Sequence, residues 1–143
     1  MNRIERSALM PYPAQQLFDL VSDIESYPDY MDGCIGARVL RREDNVVEAR
    51  LDLSRAGVSQ SFSTRNRSEA PHLIELELLE GPFDHFEGRW SFRQLGDAAC
   101  KVSLDLQFRM QGGLLGVAAG KLFESVASTL VDTLGARARQ LYG

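Results

Sequence analysis

Residues 102–126 read VSLDLQFRMQGGLLGVAAGKLFESV, and the spacing of their apolar side chains changes at the Gly112-Gly113 pair. Before the glycines, apolar and polar residues alternate over residues 102–110, which is the pattern of a half-buried strand. After them, apolar positions recur every three or four residues, as in an amphipathic helix. This segment therefore predicts a strand followed by one long helix from Leu114 to Tyr142.

The same alternation extends backwards from residue 110 to Cys34. Turn-forming sequences divide this region into six runs, each of a length suited to one strand. These turns are Glu43-Asp44-Asn45, Arg55-Ala56-Gly57, Ala70-Pro71, Gly81-Pro82 and Gly96-Asp97. Because short turns join consecutive runs, they predict an antiparallel meander with one apolar and one charged face.

The region before Cys34 adds one strand and two short helices. An extended run over residues 3–10 ends at Pro11-Tyr12-Pro13, and Pro13 suits the first turn of a helix. Apolar residues then recur at helical spacing at Leu17, Phe18, Val21 and Ile24. This helix is predicted to end before Tyr27-Pro28, because the residue before a proline avoids the helical conformation. A second helical turn is predicted over residues 29–31.

Together these elements predict a single α+β domain over residues 1–143, in which a curved antiparallel sheet of seven strands wraps around the C-terminal helix. A helix is about 10 Å wide, whereas neighbouring strands lie about 4.8 Å apart. Since one helix cannot cover seven strands, we expect an internal apolar cavity.

The candidate walls of this cavity are apolar residues on the inward faces of the strands and of the long helix. They are Phe62, Phe86, Trp90, Phe92, Phe108, Leu115, Leu122 and Phe123, with Gln60, Thr64 and Asn66 as the polar groups among them. Taken one at a time, aromatic residues fill cores more often than they bind ligands. The expectation of a ligand pocket therefore depends on the architecture and not on any single residue.

The charge of the chain restricts its partners. A formal net charge of −4 disfavours a protein whose affinity comes mainly from DNA phosphates. The outward strand faces nevertheless carry arginines at positions Arg38, Arg42, Arg50, Arg65, Arg67, Arg89, Arg93 and Arg109. Mixed with acidic residues, they predict a solvated surface, and the alternative is an RNA-binding patch.

The sequence predicts no catalytic residue, no metal and no cofactor. His72 and His85 are the two histidines, and neither has the spacing of a metal ligand or of a nucleophile's partner. The segment from Gly116 to Lys121 is one residue shorter than a phosphate-binding loop and is followed by Leu122 instead of Ser or Thr.

Two further features indicate the compartment. Cys34 and Cys100 lack metal-ligand spacing and are expected to be partly buried, reduced thiols. No apolar run approaches the roughly 20 residues of a membrane span. We therefore expect a cytoplasmic protein.

Three segments of the chain resemble those of a known family. They are Tyr27-Pro28-Asp29-Tyr30-Met31-Asp32-Gly33-Cys34, Phe62-Ser63-Thr64-Arg65-Asn66, and Gly81-Pro82-Phe83 followed by Phe86, Gly88, Trp90 and Phe92. In this order they resemble the bacterial branch of the coenzyme Q-binding START-like proteins. That branch includes ribosome association toxins of the RatA type and lies within the polyketide cyclase/dehydrase and lipid-transport superfamily. Asp32 departs from the pattern, since the family often has proline there.

The resemblance implies a helix-grip fold with a hydrophobic tunnel, and no catalytic residues. The leading hypothesis is binding of ubiquinone or a similar isoprenoid lipid in support of respiration, with transient contact at the surface of the inner membrane. The alternative is a toxin that contacts the large ribosomal subunit and blocks subunit association. A polyketide cyclase or dehydratase is the third hypothesis.

Overall fold

The computed structural model describes residues 1–143 and contains seven strands, three α-helices and one 3₁₀ helix. The strands are β1 (Asn2–Met10), β2 (Cys34–Glu43), β3 (Val46–Arg55), β4 (Val58–Glu69), β5 (Leu73–Glu80), β6 (Phe83–Gln94) and β7 (Cys100–Met110). The helices are α1 (Ala14–Ser22), α2 (Leu114–Ala127) and α3 (Leu130–Tyr142), and the 3₁₀ helix spans Ile24–Asp29. Each predicted turn separates two strands.

All seven strands form one sheet in the order β1-β7-β6-β5-β4-β3-β2. Every neighbouring pair is antiparallel, so the predicted α+β class, the six-stranded meander of β2 to β7 and the seven-stranded antiparallel sheet are confirmed. The first strand pairs with the last, which leaves β1 and β2 as the two edges. Alternation of side chains gives the sheet a concave apolar face and a convex charged face.

The long C-terminal helix is interrupted at Ser128 and Thr129, which separate α2 from α3. The Thr129 hydroxyl donates to the carbonyl oxygen of Val126 at 3.1 Å, and Thr129 has φ −106° and ψ 0°. A hydroxyl bonded to a preceding carbonyl competes with the helical ladder. The apolar spacing gave no sign of this break, because Val126 and Leu134 on either side of it are both buried.

Phe123 docks α2 onto the concave face of the sheet. Its ring centroid lies 4.8 Å from that of Phe108, 5.2 Å from Phe83, 5.7 Å from Phe62 and 5.9 Å from Phe86. All four pairs are edge-on, the arrangement that the charge distribution of aromatic rings favours. The aromatic residues of β4, β6 and β7 therefore converge on one side chain of the helix.

A second aromatic group joins α1 to the sheet. Phe18 meets Phe92 edge-on at 5.8 Å, and Phe92 stacks on Trp90 at 6.2 Å. Trp90 is 6% exposed and Phe92 is 1% exposed. Together, α1 and α2 cover two separate parts of the concave face.

From the sequence, no apolar run was expected to be long enough to span a membrane. The segment Leu114–Tyr142 corrects this expectation. Its length and composition would suit a membrane span, with a mean hydropathy of 1.4 over 18 residues. In the fold, its apolar residues Leu122, Phe123 and Leu134 are buried in the domain core. Core helices of globular proteins can have the same composition, and 39% of this window is buried inside the domain.

Both cysteines are buried free thiols, as the sequence predicted. Burial raises the pKa of Cys34 and of Cys100. Each thiol therefore stays protonated near neutral pH, where only the thiolate would be a good nucleophile.

Tyr30 connects the end of the 3₁₀ segment to α3. The guanidinium of Arg137 lies over the Tyr30 ring, 5.0 Å from its centroid, while the Tyr30 hydroxyl is buried without a hydrogen-bond partner. Burial raises the pKa of Tyr30 to about 12, and the positive charge of Arg137 opposes that rise.

We expect Trp90→Ala to lower the free energy of unfolding by about 3 to 5 kcal/mol, because it removes a buried ring and leaves a cavity. Urea denaturation measures this change. Leu114→Ala is the matched control: Leu114 is 89% exposed, so its truncation should change stability by less than about 0.5 kcal/mol. A loss below about 1 kcal/mol for Trp90→Ala would mean that the inward face of β6 is misassigned.

We also expect stability to fall as the pH rises from about 10 to about 12. In the unfolded chain Tyr30 loses its proton near its ordinary pKa of 10.0, whereas the folded phenol keeps it to about 12. Ionisation then favours the unfolded state. Tyr30→Phe removes this contribution, so urea denaturation should show a smaller loss over that pH range. Equal losses in the two proteins would contradict the assignment.

Candidate functional site: an internal apolar cavity

An internal cavity lies between the concave face of the sheet and the helices. Of the 23 residues that line it, 19 are hydrophobic. They come from α1, the 3₁₀ segment, β3 to β7, and α2, and the series ends at Leu130 of α3. The space open to a water-sized sphere is about 100 Å³. Pockets for drug-sized ligands usually measure about 300 to 1,000 Å³, so a long lipid requires the walls to move apart.

Few polar groups face the cavity. They include Thr64, whose hydroxyl donates to the side-chain oxygen of Asn66 at 2.7 Å, and the serines Ser22 and Ser68. The Tyr27 hydroxyl donates to the carbonyl oxygen of Val21, and burial raises the Tyr27 pKa well above its usual value. No carboxylate, imidazole, thiol, amine or guanidinium lines this cavity.

The structure brings most of the predicted wall residues together. Phe62, Thr64, Asn66, Phe86, Trp90 and Phe123 line the cavity. Phe92, Phe108 and Leu122 are buried in the core but do not line it. These three residues lie on the same inward faces as the wall residues. They do not border the free space, because they pack against neighbouring rings or helices.

Leu115 contradicts the sequence prediction, because it is 88% exposed and lies away from the cavity. Helical spacing puts Leu115 in line with Ala119 and Leu122, which are buried. The first turn of α2, however, extends past the part of the sheet that could cover it, since Leu114 and Val117 are also exposed. Periodicity gives the face of a helix but not where its partner surface ends.

Several wall residues were missed. Tyr27 and Met31 come from the 3₁₀ segment and the residues after it, and Leu51, Ile74 and Leu76 come from β3 and β5. The alternation of side chains that predicted the aromatic wall residues also places the aliphatic ones on the inward face, so they could have been predicted in the same way. Tyr27 lies in the 3₁₀ helix and Met31 in the loop after it, so neither belongs to the repeating pattern of a strand or an α-helix.

A shallow second space, the α2 groove, lies beneath the outer side of α2. It is lined by Arg55, Ala56, Val58, Leu114, Val117, Ala118, Lys121, Leu122 and Ser125. The Arg55 guanidinium crosses one end of this groove, donating to the Ser125 hydroxyl at 2.9 Å and to a carboxylate oxygen of Asp32 at 2.9 Å. The loop of Asp32, the β3–β4 turn and α2 are thus tied together.

Gln60 lies near both spaces but lines neither. Its side-chain nitrogen and oxygen are both buried without a hydrogen-bond partner. The sequence predicted Gln60 as a polar group of the cavity, and the structure places its backbone on the predicted inward face, opposite Leu53.

On the convex face, several of the predicted arginines are paired with acids. Arg65 contacts Glu48 at 2.9 Å, and Arg89 lies 3.6 Å from Glu75. These pairs reduce the positive charge available to a nucleic acid.

Other outward arginines have no acidic partner within 4.0 Å: Arg67, Arg93 and Arg109 on β4, β6 and β7, and two of the arginines on edge strand β2. Arg38 and Arg42 are exposed and form no ion pair within 4.0 Å. Arg38 lies directly opposite Arg50 on β3. The pKa of Asp52 is lowered chiefly by the Ser61 hydroxyl and by Arg50, with a smaller effect of Arg38. The Asp52 carboxylate therefore interacts electrostatically with two arginines that face each other.

Comparison with known proteins gives a consistent picture. The family model described as "Polyketide cyclase / dehydrase and lipid transport" matches residues 10–134. The chain is 44% identical to "Ribosome association toxin RatA" of Pseudomonas aeruginosa, over 98% of this chain and 97% of that protein. It is 22% identical to "Coenzyme Q-binding protein COQ10, mitochondrial" of Dictyostelium discoideum, over 97% of this chain and 70% of that protein.

Solved structures share the fold. A START superfamily protein from Mycobacterium smegmatis aligns with a TM-score of 0.81 and 26% identity, covering 97% of this chain and 98% of its own. The helix-grip fold implied by the sequence resemblance is thereby confirmed. With the family model spanning most of its length and a relative at 44% identity, this chain belongs to the polyketide cyclase/dehydrase and lipid transport family.

Proposed function

We propose that this protein acts on ribosomes as a toxin of the RatA type and interferes with the association of their subunits. The observation that carries this proposal is the 44% identity, over nearly the whole of both chains, with a protein named for ribosome association. The sequence alone favours lipid binding as the first hypothesis and a ribosome contact as the second. The similarity of the relatives reverses that order.

The surface that we propose for the ribosome contact lies on β2 and β3. Residues 34–55, which contain these two strands, carry five arginines against four acidic residues, whereas the whole chain has a net charge of −4. Arg38 and Arg50 are directly opposed, and like charges in that position repel each other. A phosphate group placed between them would relieve this repulsion, and arginine binds phosphate through two donors at once.

We expect Arg38→Gln with Arg42→Gln to weaken binding to the large ribosomal subunit by about tenfold or more. The salt dependence of binding should also fall by roughly two phosphate contacts. Co-sedimentation with purified subunits over a range of salt concentrations measures both quantities. The charge-matched control is Arg93→Gln with Arg109→Gln, on exposed positions of β6 and β7. Equal losses in the two double variants would place the contact elsewhere.

The cavity favours a second function, binding of an apolar ligand. Hydrophobic residues make up 19 of its 23 lining residues, and a relative is named as a coenzyme Q-binding protein. We propose that the ligand is ubiquinone or a similar isoprenoid lipid, and that the protein is cytoplasmic and takes up this lipid during transient contact with the inner membrane. Leu114 and Leu115 are the exposed apolar residues best placed for that contact.

A binding role is better supported than a catalytic one. Cyclisation or dehydration needs a general acid or base beside the reacting atoms. The ionisable group in the cavity wall is the Tyr27 phenol, whose hydrogen bond to Val21 and raised pKa keep it protonated. We therefore propose that the cavity holds its ligand without transforming it.

We expect the affinity for ubiquinone analogues to rise about fourfold for each additional methylene of the tail, until the cavity is filled. Phe62→Asp should reduce binding strongly, because its carboxylate would face the tail without a partner. Quenching of the single tryptophan, Trp90, by the quinone reports binding from inside the cavity.

Ser59→Asp is the control for this experiment, since it places the same charge on the exposed convex side of β4. Its affinity should match that of the unmodified protein. Thermal unfolding of each variant separates loss of binding from loss of fold. Equal affinities for short-tailed and long-tailed quinones would contradict binding in the cavity.

A further inference from the structure

Gln60 occupies the boundary between the cavity and the α2 groove. Along the inward face of β4, Phe62 lines the cavity and Val58 lines the groove, with Gln60 between them. Leu53, opposite Gln60 on β3, also lines the cavity. On the side of the sheet, Gln60 is therefore the inward residue of β4 that lies between the residues lining the two spaces.

On the side of the helix, α2 forms the same boundary. Phe123 and Val126 face the cavity, while Leu122 and Ser125 line the groove. These four residues lie within less than two turns of one helix. A displacement of α2 away from β4 would consequently join the two spaces.

The chemistry of this boundary is unusual for a core. The Gln60 amide has donors and an acceptor, and its nitrogen and oxygen are both buried without a partner. Most buried polar groups in folded proteins are hydrogen-bonded, because leaving them unpaired is costly. An apolar side chain of the same size would pack here without that cost. The amide is thus poorly suited to the closed state and well suited to a polar group that enters.

We propose that the cavity and the α2 groove are two parts of one ligand channel, and that the Gln60 amide binds a carbonyl or hydroxyl group of the ligand when α2 moves outward. The ligand class is a long apolar chain that carries such a polar group. This inference rests on the lipid-binding function proposed above, and it names the polar recognition residue of that site.

Features at both ends of α2 support the movement. The helix follows Gly113, which has a φ of +97°, and it ends at the interruption of Ser128 and Thr129. The free space of about 100 Å³ in the cavity is too small for a long ligand, whereas the groove beside it offers about 410 Å³. The hydrogen bond from Arg55 to Ser125 is the polar contact that this displacement breaks.

The test compares two ligands with the same tail, decylubiquinone and decylbenzene. Quenching of Trp90 fluorescence gives the affinity for the quinone, and displacement of the quinone gives the affinity for the hydrocarbon. We expect the unmodified protein to prefer the quinone by about tenfold, as for one or two added hydrogen bonds. Gln60→Met keeps the size of the side chain and should abolish the preference. Its ligand-free Tm should rise by about 3 °C, since the unpaired amide is gone.

Phe62→Leu is the matched control in the cavity wall. It should lower the affinity for both ligands equally, so that the ratio of the two affinities does not change. If Gln60→Met retains the tenfold preference, the role of Gln60 is wrong while lipid binding stands. If the unmodified protein binds neither ligand, lipid binding itself fails and the channel falls with it. A ligand-free Tm that drops in Gln60→Met would show that the amide has partners in the closed state, which also overturns the proposal.

Discussion

The insertion of Phe123 among the phenylalanine rings of β4, β6 and β7 is the contact on which the domain depends. A seven-stranded sheet exposes more apolar surface than a single helix can cover, and this contact determines where α2 lies on it. Because α2 is held along one line, free space remains on both sides of that line. The cavity lies on one side and the groove on the other. The packing of α2 and the free space beside it are therefore consequences of the same side chain.

The pleat of the sheet keeps the two proposed functions physically separate. Successive side chains of a strand point to opposite faces, so Phe62 and Thr64 face the cavity while Arg65 pairs with Glu48 on the convex face. A lipid inside the domain and an RNA outside it would contact different residues of the same strands. Either function can change by substitution on its own face with little effect on the packing of the other.

Periodicity and turn sequences were sufficient for the strands, for the meander of β2 to β7 and for the apolar face of the C-terminal helix, but the pairing of β1 with β7 was not predicted. It failed where the answer depends on the position of a second element. Leu115 has the spacing of a buried residue, yet the sheet ends before it. Arg65 and Arg89 face outward as predicted, but only strand register shows that acids lie beside them. Whether the Gln60 amide has a hydrogen-bond partner depends on which residues of α2 pack near it, and no local sequence pattern shows this.

The two shifts of register in β2 have a consequence for self-association. They leave Ile35 and Leu40 outside the pairing with β3, and both side chains are exposed on an edge strand. An open, flat edge of this length would invite pairing with the same strand of another molecule. Bulges bend the edge and the charges of Arg38, Arg41 and Arg42 repel a second copy, so the strand resists intermolecular β-sheet formation. Arginines proposed to bind a polyanion thus also oppose self-association of this edge, and selection against aggregation alone would preserve them without any contact to the ribosome.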